Sequence, residues 1–180
     1  MRQTSSTQAI DIDALKAKVD EEIAARLLAE ADYARYIHRR GFCIGELKLL
    51  VGMDTVSEVV EMPPLFRLPG APTGVRGLAN RHGRVVPVLD ILTLFDSANE
   101  QSKRAWLLVY GRGEDAVGLI IDSLPDRRKF VQNDEISPGD IAHPIATYAK
   151  AAYREGQEIW VDLDMEALFA SIFKVDSTAV

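Results

Sequence analysis

Short apolar runs separated by glycine and proline turns constrain the fold of this 180-residue chain more than any other feature. From Gly41 onward these runs are rich in β-branched and aromatic residues, a composition typical of strands. Long helical segments do not alternate with them, which disfavours a parallel sheet built with crossover helices. The sequence therefore predicts an all-β fold, closed as a barrel or packed as a sandwich. The predicted strands are Phe42–Leu47, Leu49–Met53, Val56–Met62, Arg84–Ile91, Ala105–Tyr110, Ala116–Ile121, Leu124–Val131, Ile145–Arg154 and Glu158–Leu163.

The turns between these runs also have sequence signals. A turn is expected at residues 46–48, and the glycines at 111 and 113 indicate a hairpin loop. Pro69, Gly70 and Pro72 form a cluster of breakers before the strand at Arg84–Ile91. Asp90 ends that strand and can cap a short apolar turn that begins at Ile91.

Two helices flank the predicted strands. Asp11 or Asp13 can cap the first helix, which is expected to reach about Ile37. Its apolar side either packs against its own domain or docks on a partner. The second covers Met165–Phe173, with Asp164 as its cap. The apolar positions of the first helix recur at three- and four-residue steps, at Ile12, Leu15, Val19, Ile23 and Leu27.

Composition narrows the class of protein. The net charge is −6 and residues 1–40 contain seven basic and seven acidic residues, so the whole net charge lies in residues 41–180. This balance disfavours nucleic acid as a partner. The single cysteine, Cys43, forms no internal disulfide, and no apolar run approaches the roughly 20 residues needed to span a bilayer. We therefore expect a cytoplasmic protein without direct membrane insertion.

The sequence contains no clear motif for metal binding, cofactor binding or catalysis. The three histidines, His38, His82 and His143, have no second histidine or cysteine at metal-ligand spacing. The glycines near residue 111 precede a strand rather than a helix, so they do not form a dinucleotide loop. Asp162 and Asp164 are interpreted as capping and solvated acids. We expect no metal, no cofactor and no catalytic activity, although a site assembled only in three dimensions stays open.

One stretch resembles a known family. Leu68-Pro69 is followed by Gly77-Leu-Ala-Asn80-Arg81-His82-Gly83, and then by Pro87-Val88-Leu89-Asp90. This order and spacing resemble the signature of CheW-like chemotaxis coupling proteins, in which arginine usually stands at the position of His82. The resemblance extends from Gly41 to about Phe173. It divides the chain into an N-terminal helical extension at residues 1–40, a CheW-like domain at 41–174 and a tail at 175–180.

The resemblance implies a fold and a function. CheW-like domains consist of two intertwined, five-stranded, SH3-like β-barrels, here with an added N-terminal helix and a short C-terminal helix. Family members are non-catalytic adaptors that connect the cytoplasmic tip of a methyl-accepting chemoreceptor to a chemotaxis-type histidine kinase. The leading helix and the run from Val56 to Pro63 are similar to PilI-type adaptors of twitching motility, which depends on type IV pili. Flagellar chemotaxis is the nearest alternative output.

The same resemblance implies a site for protein binding. The turn at Asn80, Arg81, His82 and Gly83 is expected on the receptor side, and Glu58 occupies the position of a family glutamate near that turn. Either His82 replaces the family arginine as a pH-dependent partner of Glu58, or Arg81 takes over the recognition role. Hydrophobic barrel surfaces are expected to bind the regulatory domain of the kinase.

Two other interpretations of the sequence stay open. A small β-barrel enzyme or ligand-binding protein would have a deep, enclosed pocket with convergent polar groups. A CheW-like scaffold that no longer binds receptors would also fit the substitution of histidine at position 82.

Overall fold

A computed structural model of the protein describes residues 12–95 and 106–173. The polar stretch Asp96–Arg104, which the sequence predicts to be a connector, and the predicted tail at 175–180 lie outside the described residues. Eleven strands, three α-helices and four short 3₁₀ helices make up the described regular structure. The strands are β1 Ile37–Ile44, β2 Leu47–Val51, β3 Val56–Glu61, β4 Val75–Arg81, β5 Arg84–Leu89, β6 Trp106–Tyr110, β7 Val117–Ile121, β8 Asp126–Phe130, β9 Glu135–Ile136, β10 Ala149–Glu155 and β11 Glu158–Leu163. The helices are α1 Ile12–Ala34, α2 Ile91–Leu94 and α3 Met165–Phe173.

The strands form two sheets, and the second sheet is inserted in the chain between two parts of the first. Sheet A has six strands in the order β8-β1-β2-β11-β10-β9, and sheet B has five in the order β3-β6-β7-β5-β4. Most neighbours are antiparallel, as expected for hairpin connections. Each sheet also contains one parallel pair, β2 with β11 in sheet A and β5 with β7 in sheet B.

A shared apolar core holds the two sheets together. Its residues come from sheet A, from sheet B and from α3, and Leu49, Leu108, Leu119 and Leu168 within it are fully buried. Every residue of β7 is buried, so this strand is covered on both faces. A second, smaller cluster fills the curled interior of sheet B. Its buried members are Ala79, Val86, Val88, Leu107, Val109, Ala116 and Ile120.

Polar contacts fix the place where the sheets meet. The Asp122 amide donates to the Cys43 carbonyl at 2.9 Å, and the Asp122 carboxylate accepts from the Gly45 amide at 2.6 Å. These bonds join the end of β7 to the first hairpin of sheet A. Gly45 has a φ of 58°, which glycine adopts without steric cost.

The signature glycine Gly77 has a packing role. Its φ is 147°, and a Cβ at this position would lie 2.5 Å from the Phe66 carbonyl oxygen. The close approach lets the Phe66 amide donate to the Leu78 carbonyl at 2.8 Å, while the Leu78 amide donates back to Phe66 at 2.8 Å. A side chain at Gly77 would break this pairing between Phe66 and Leu78.

The structure confirms the all-β class, with two curled sheets and a helix near each end. Sheet A has six strands rather than five because the two-residue β9 adds to its edge. The turn predicted at residues 46–48 is wrong, because the chain turns at Gly45 and Glu46 and β2 already begins at Leu47. The caps predicted at Asp90 and Asp164 are confirmed: Asp90 accepts from the Thr93 amide, and Asp164 accepts from the Ala167 amide at 3.0 Å. Of the two caps proposed for the first helix, Asp13 lies inside α1, so it does not cap the helix, and Asp11 lies outside the described residues.

Two interpretations need a physical correction. Asp162 is not a solvated acid, because it is only 4% exposed and accepts from Arg39 Nε at 2.6 Å. Burial raises the pKa of Asp162, although the hydrogen bond from Arg39 opposes that change. The strand expected from Ile145 begins only at Ala149, because a short 3₁₀ helix covers Pro144–Tyr148 and places Ile145 in the core.

The first helix ends at Ala34, earlier than expected, and the chain divides into compact units between Tyr36 and Ile37. Within the helix, Val19, Ile23 and Leu27 are exposed. Among the described helices, none has the length and hydrophobicity required to cross a membrane.

Removing residues 1–36 should leave a β-domain that unfolds cooperatively, because every described strand begins at Ile37 or later. Thermal unfolding followed by circular dichroism would measure this. Removing residues 1–44 is the matched control, since it also deletes β1 with the buried Phe42 and Ile44. We expect that control to lose the transition; loss of the transition on removing residues 1–36 alone would show that α1 completes the core.

Candidate functional site

The candidate site is built on the hairpin that joins β4 to β5. Arg81 and Arg84 are partners at the end of the ladder, so His82 and Gly83 form a two-residue turn. Their φ values are 51° and 78°, the positive values that a type I′ turn requires at both positions. The Asn80 side chain accepts from the Gly83 amide at 3.0 Å and fixes the turn. The turn is therefore rigid and its side chains have defined directions.

Glu58 reaches this turn from the opposite edge of the same sheet. It lies on β3, next to a bulge between Val56 and Glu58, while Arg81 ends β4. Strands β3 and β4 are the two edge strands of sheet B. Because the sheet curls, an ion pair between Glu58 and Arg81 connects its two edges. The site thus lies at the mouth of the curled sheet.

Arg81 is the main partner of Glu58. Its Nη2 donates to Glu58 Oε1, and its Nε donates to Oε2 at 3.3 Å, a two-point geometry suited to guanidinium and carboxylate. His82 Nε2 lies 3.2 Å from Glu58 Oε1, but the His82 side chain is 78% exposed, against 23% for Arg81. The Arg81 hydrogen bond holds the pKa of Glu58 below its usual value; partial burial opposes this shift, and His82 adds to it.

The structure brings together all five residues that the resemblance singled out. Strand alternation explains why arginine at position 81 reaches Glu58. Arg81 shares a face with Ala79, which is buried inside the curled sheet, whereas His82 lies in the exposed turn. Arg81 and His82, the two residues that the sequence left open as partners of Glu58, therefore both contact its carboxylate. Arg81 lies closer to the interior of the sheet.

An open depression surrounds this cluster and contains residues that the sequence did not indicate. It has a volume of about 540 Å³ and includes Arg84 and Arg112. Arg84 begins β5, and Arg112 follows β6 in the next hairpin loop, so only the folding of the sheet brings them together. The only signal for Arg84 and Arg112 in the sequence is that each is a basic residue next to a glycine-containing turn. The full lining is Glu58, Arg81, His82, Arg84, Val86, Val109, Arg112, Gly113 and Ala116.

Metal chemistry finds no support in the described part of the chain. Over residues 12–95 and 106–173, no three side chains of histidine, cysteine, aspartate or glutamate are grouped in a way that could hold a metal ion. His143 serves as a cap instead, since its Nδ1 accepts from the Ile145 amide at 3.0 Å. What the site offers is a charged, preorganised surface.

A family model and individual relatives place the chain in the same family. The family model described as the CheW-like domain matches residues 41–173. Protein PilI of Pseudomonas aeruginosa is 29% identical over 71% of this chain and 70% of that protein. Protein FrzA of Myxococcus xanthus is also 29% identical, over 68% of this chain and 76% of that protein.

A solved structure supports the fold independently. The crystal structure of the scaffolding protein TtCheW from Thermoanaerobacter tengcongensis matches with a TM-score of 0.62 at 18% sequence identity. The match covers 71% of this chain and 84% of that chain. Together with the family model, this confirms the resemblance that the signature stretch indicated.

Glu58→Gln should lower the free energy of unfolding by about 0.5–1 kcal/mol near neutral pH, as expected for a partly exposed ion pair. The pKa of Glu58 is lower in the folded state, so its stabilisation is present above the unfolded-state pKa. It is lost as the pH falls through the folded-state pKa, and the two proteins should then become equally stable. Urea unfolding across this pH range would measure the difference. Glu61→Gln, on the same strand, is the control, and an equal effect there would contradict the assignment.

Proposed function

The chain belongs to the family of CheW-like domains, and from that membership we propose that it is a non-catalytic adaptor that couples a chemoreceptor to a histidine kinase. The family comprises scaffold proteins of chemotaxis and pilus systems. The observation that carries the proposal is the family match over residues 41–173, which includes the whole rigid turn and its partner Glu58. The proposed partners are the cytoplasmic tip of a methyl-accepting chemoreceptor and a chemotaxis-type kinase, which places the protein in the cytoplasm.

The similarity to PilI supports a place in the twitching-motility branch, with type IV pili as the output. The helix α1, which precedes the β-domain, is a second feature on which the resemblance to PilI-type adaptors rests. Flagellar chemotaxis is the alternative output. Deleting the gene and scoring surface twitching separately from swimming would distinguish the two.

The β4–β5 hairpin offers one surface to each partner. Its inner face carries Arg81 and Arg84 beside Glu58, and we propose that this face meets the receptor. Its outer face carries Val85, which is 68% exposed and lies opposite Asn80, and the nearby Phe66 is 69% exposed. Phe66 and Val85 line one shallow depression, and we propose that this exposed apolar pair meets the regulatory domain of the kinase.

Two surfaces on one rigid hairpin suggest how an adaptor could transmit a signal without chemistry. A receptor that binds more tightly in one signalling state would change the population of the bound adaptor. Receptor binding and kinase binding on the same hairpin would be energetically coupled if the occupancy of one surface changes the affinity of the other. Simultaneous binding of both partners is therefore required, and a ternary complex should be detectable by analytical ultracentrifugation.

Arg81→Ala should weaken binding to a chemoreceptor cytoplasmic fragment roughly tenfold, because the two-point guanidinium contact is lost and Glu58 keeps only its contact with the exposed His82. His82→Ala should change the affinity by less than about threefold, since its side chain is 78% exposed. His82→Arg should bind at least as well as the parent. Isothermal titration calorimetry would measure all three. A larger loss for His82→Ala than for Arg81→Ala would return the recognition role to His82.

Val85→Glu should reduce affinity for the kinase regulatory domain at least about tenfold, because a charge would be buried in an apolar contact. Val85 is 68% exposed, so folding should be retained. Leu124→Glu is the matched control at another exposed aliphatic side chain, 56% exposed, and should bind normally. Receptor binding should survive in both variants; equal kinase affinity of Val85→Glu and the parent would exclude this face.

A further inference from the structure

The depression at the mouth of sheet B concentrates positive charge within an acidic domain. The whole net charge of −6 lies in residues 41–180, yet three arginines and one histidine line this depression. Glu58 is its one acidic lining residue. Such a local reversal of sign attracts a ligand of opposite charge.

The carboxylate of Glu58 is occupied by contacts with residues of the site itself. Arg81 takes both of its oxygens, and His82 Nε2 lies 3.2 Å from one of them. In the described part of the chain, no acidic side chain forms an ion pair with Arg84 or Arg112. Glu114 borders an adjoining depression with Arg84, but the two form no ion pair there. Two guanidinium groups are therefore available to a partner.

The register of the sheet makes this arrangement costly. Arg81 and Arg84 are directly opposite on neighbouring strands, where like charges destabilise the pairing, and Glu58 compensates the charge of Arg81 alone. Arg84 also extends toward the loop that carries Arg112, because its Nη1 would lie 3.6 Å from a Cβ on Gly113. Strand pairing alone does not require arginine at position 84. A bound anionic group would compensate the repulsion.

The floor of the depression indicates what the ligand must present besides an anionic group. Val86, Val109 and Ala116 form it and are 3, 4 and 8% exposed. An apolar floor beside cationic groups suits a segment that presents an apolar side chain next to carboxylates. A long polyanion is disfavoured, because the domain around the depression is acidic.

We propose that this depression binds an acidic stretch of the receptor's cytoplasmic helix, with carboxylates on Arg84 and Arg112 and an apolar side chain on Val86 and Val109. The proposal rests on the proposed function, since it names the chemistry of the receptor-side partner. Arginine binds a carboxylate through two parallel hydrogen bonds, so the contact selects for acidic residues at defined positions.

Charge reversal tests the proposal. Binding of a chemoreceptor cytoplasmic fragment to the full chain is measured by isothermal titration calorimetry for the parent, Arg84→Glu and Arg112→Glu. Each variant should lose at least about tenfold in affinity. Arg154→Glu, an exposed arginine on β10, is the control and should stay within about twofold of the parent. Replacing an acidic residue of the receptor helix by lysine should restore binding to Arg84→Glu.

A second probe separates failure of this inference from failure of the adaptor assignment. A helical peptide with glutamates four residues apart beside a leucine is titrated into the isotope-labelled chain. Amide shifts confined to β4, β5 and the loop at residues 111–115 support the inference even if no receptor fragment binds. Receptor binding that is insensitive to Arg84→Glu and Arg112→Glu overturns the inference but not the proposed function. Absence of both receptor binding and peptide shifts overturns both.

Discussion

Burial of two curled sheets against one shared apolar core is the constraint on which the rest of this structure depends. Each large apolar side chain removed from water contributes about 1.5–3 kcal/mol, so the fully buried leucines of both sheets and α3 account for much of the stability. Strand β7 is buried along its whole length, and β5 lies beside it in a parallel pair. The hairpin that carries the candidate site is therefore anchored on the most buried part of sheet B.

Curling of sheet B gives that hairpin its functional geometry. The curl brings the edge strands β3 and β4 together, where the Glu58–Arg81 pair connects them. It also separates the hairpin into an inner, charged face and an outer face that carries Val85, because alternate residues of a strand point to opposite sides. The same physical feature thus produces the cationic depression and the exposed apolar surface near Val85.

A one-residue offset shows how local geometry decides a residue's role. Arginine stands at position 81 here, while the family pattern places it at 82, and the strand ends between them. The last strand residue shares its face with the interior and reaches Glu58 with two hydrogen bonds. The turn residue keeps a positive φ of 51° and contributes a single contact from an exposed ring.

The sequence by itself determined the all-β class, both helices, the caps at Asp90 and Asp164 and the identity of the signature turn, because these depend on local patterns of apolar and turn-forming residues. It also indicated Glu58, although only through resemblance. Strand boundaries were less certain, as the start of β2 shows, since the φ of Gly45 allows a tighter turn than composition suggested. Only the tertiary structure decided that Arg81 rather than His82 is the main partner of Glu58, and that Arg84 and Arg112 join the same depression. Those juxtapositions follow from sheet curl and cross-strand register, which relate residues distant in sequence and leave no periodic signal in it.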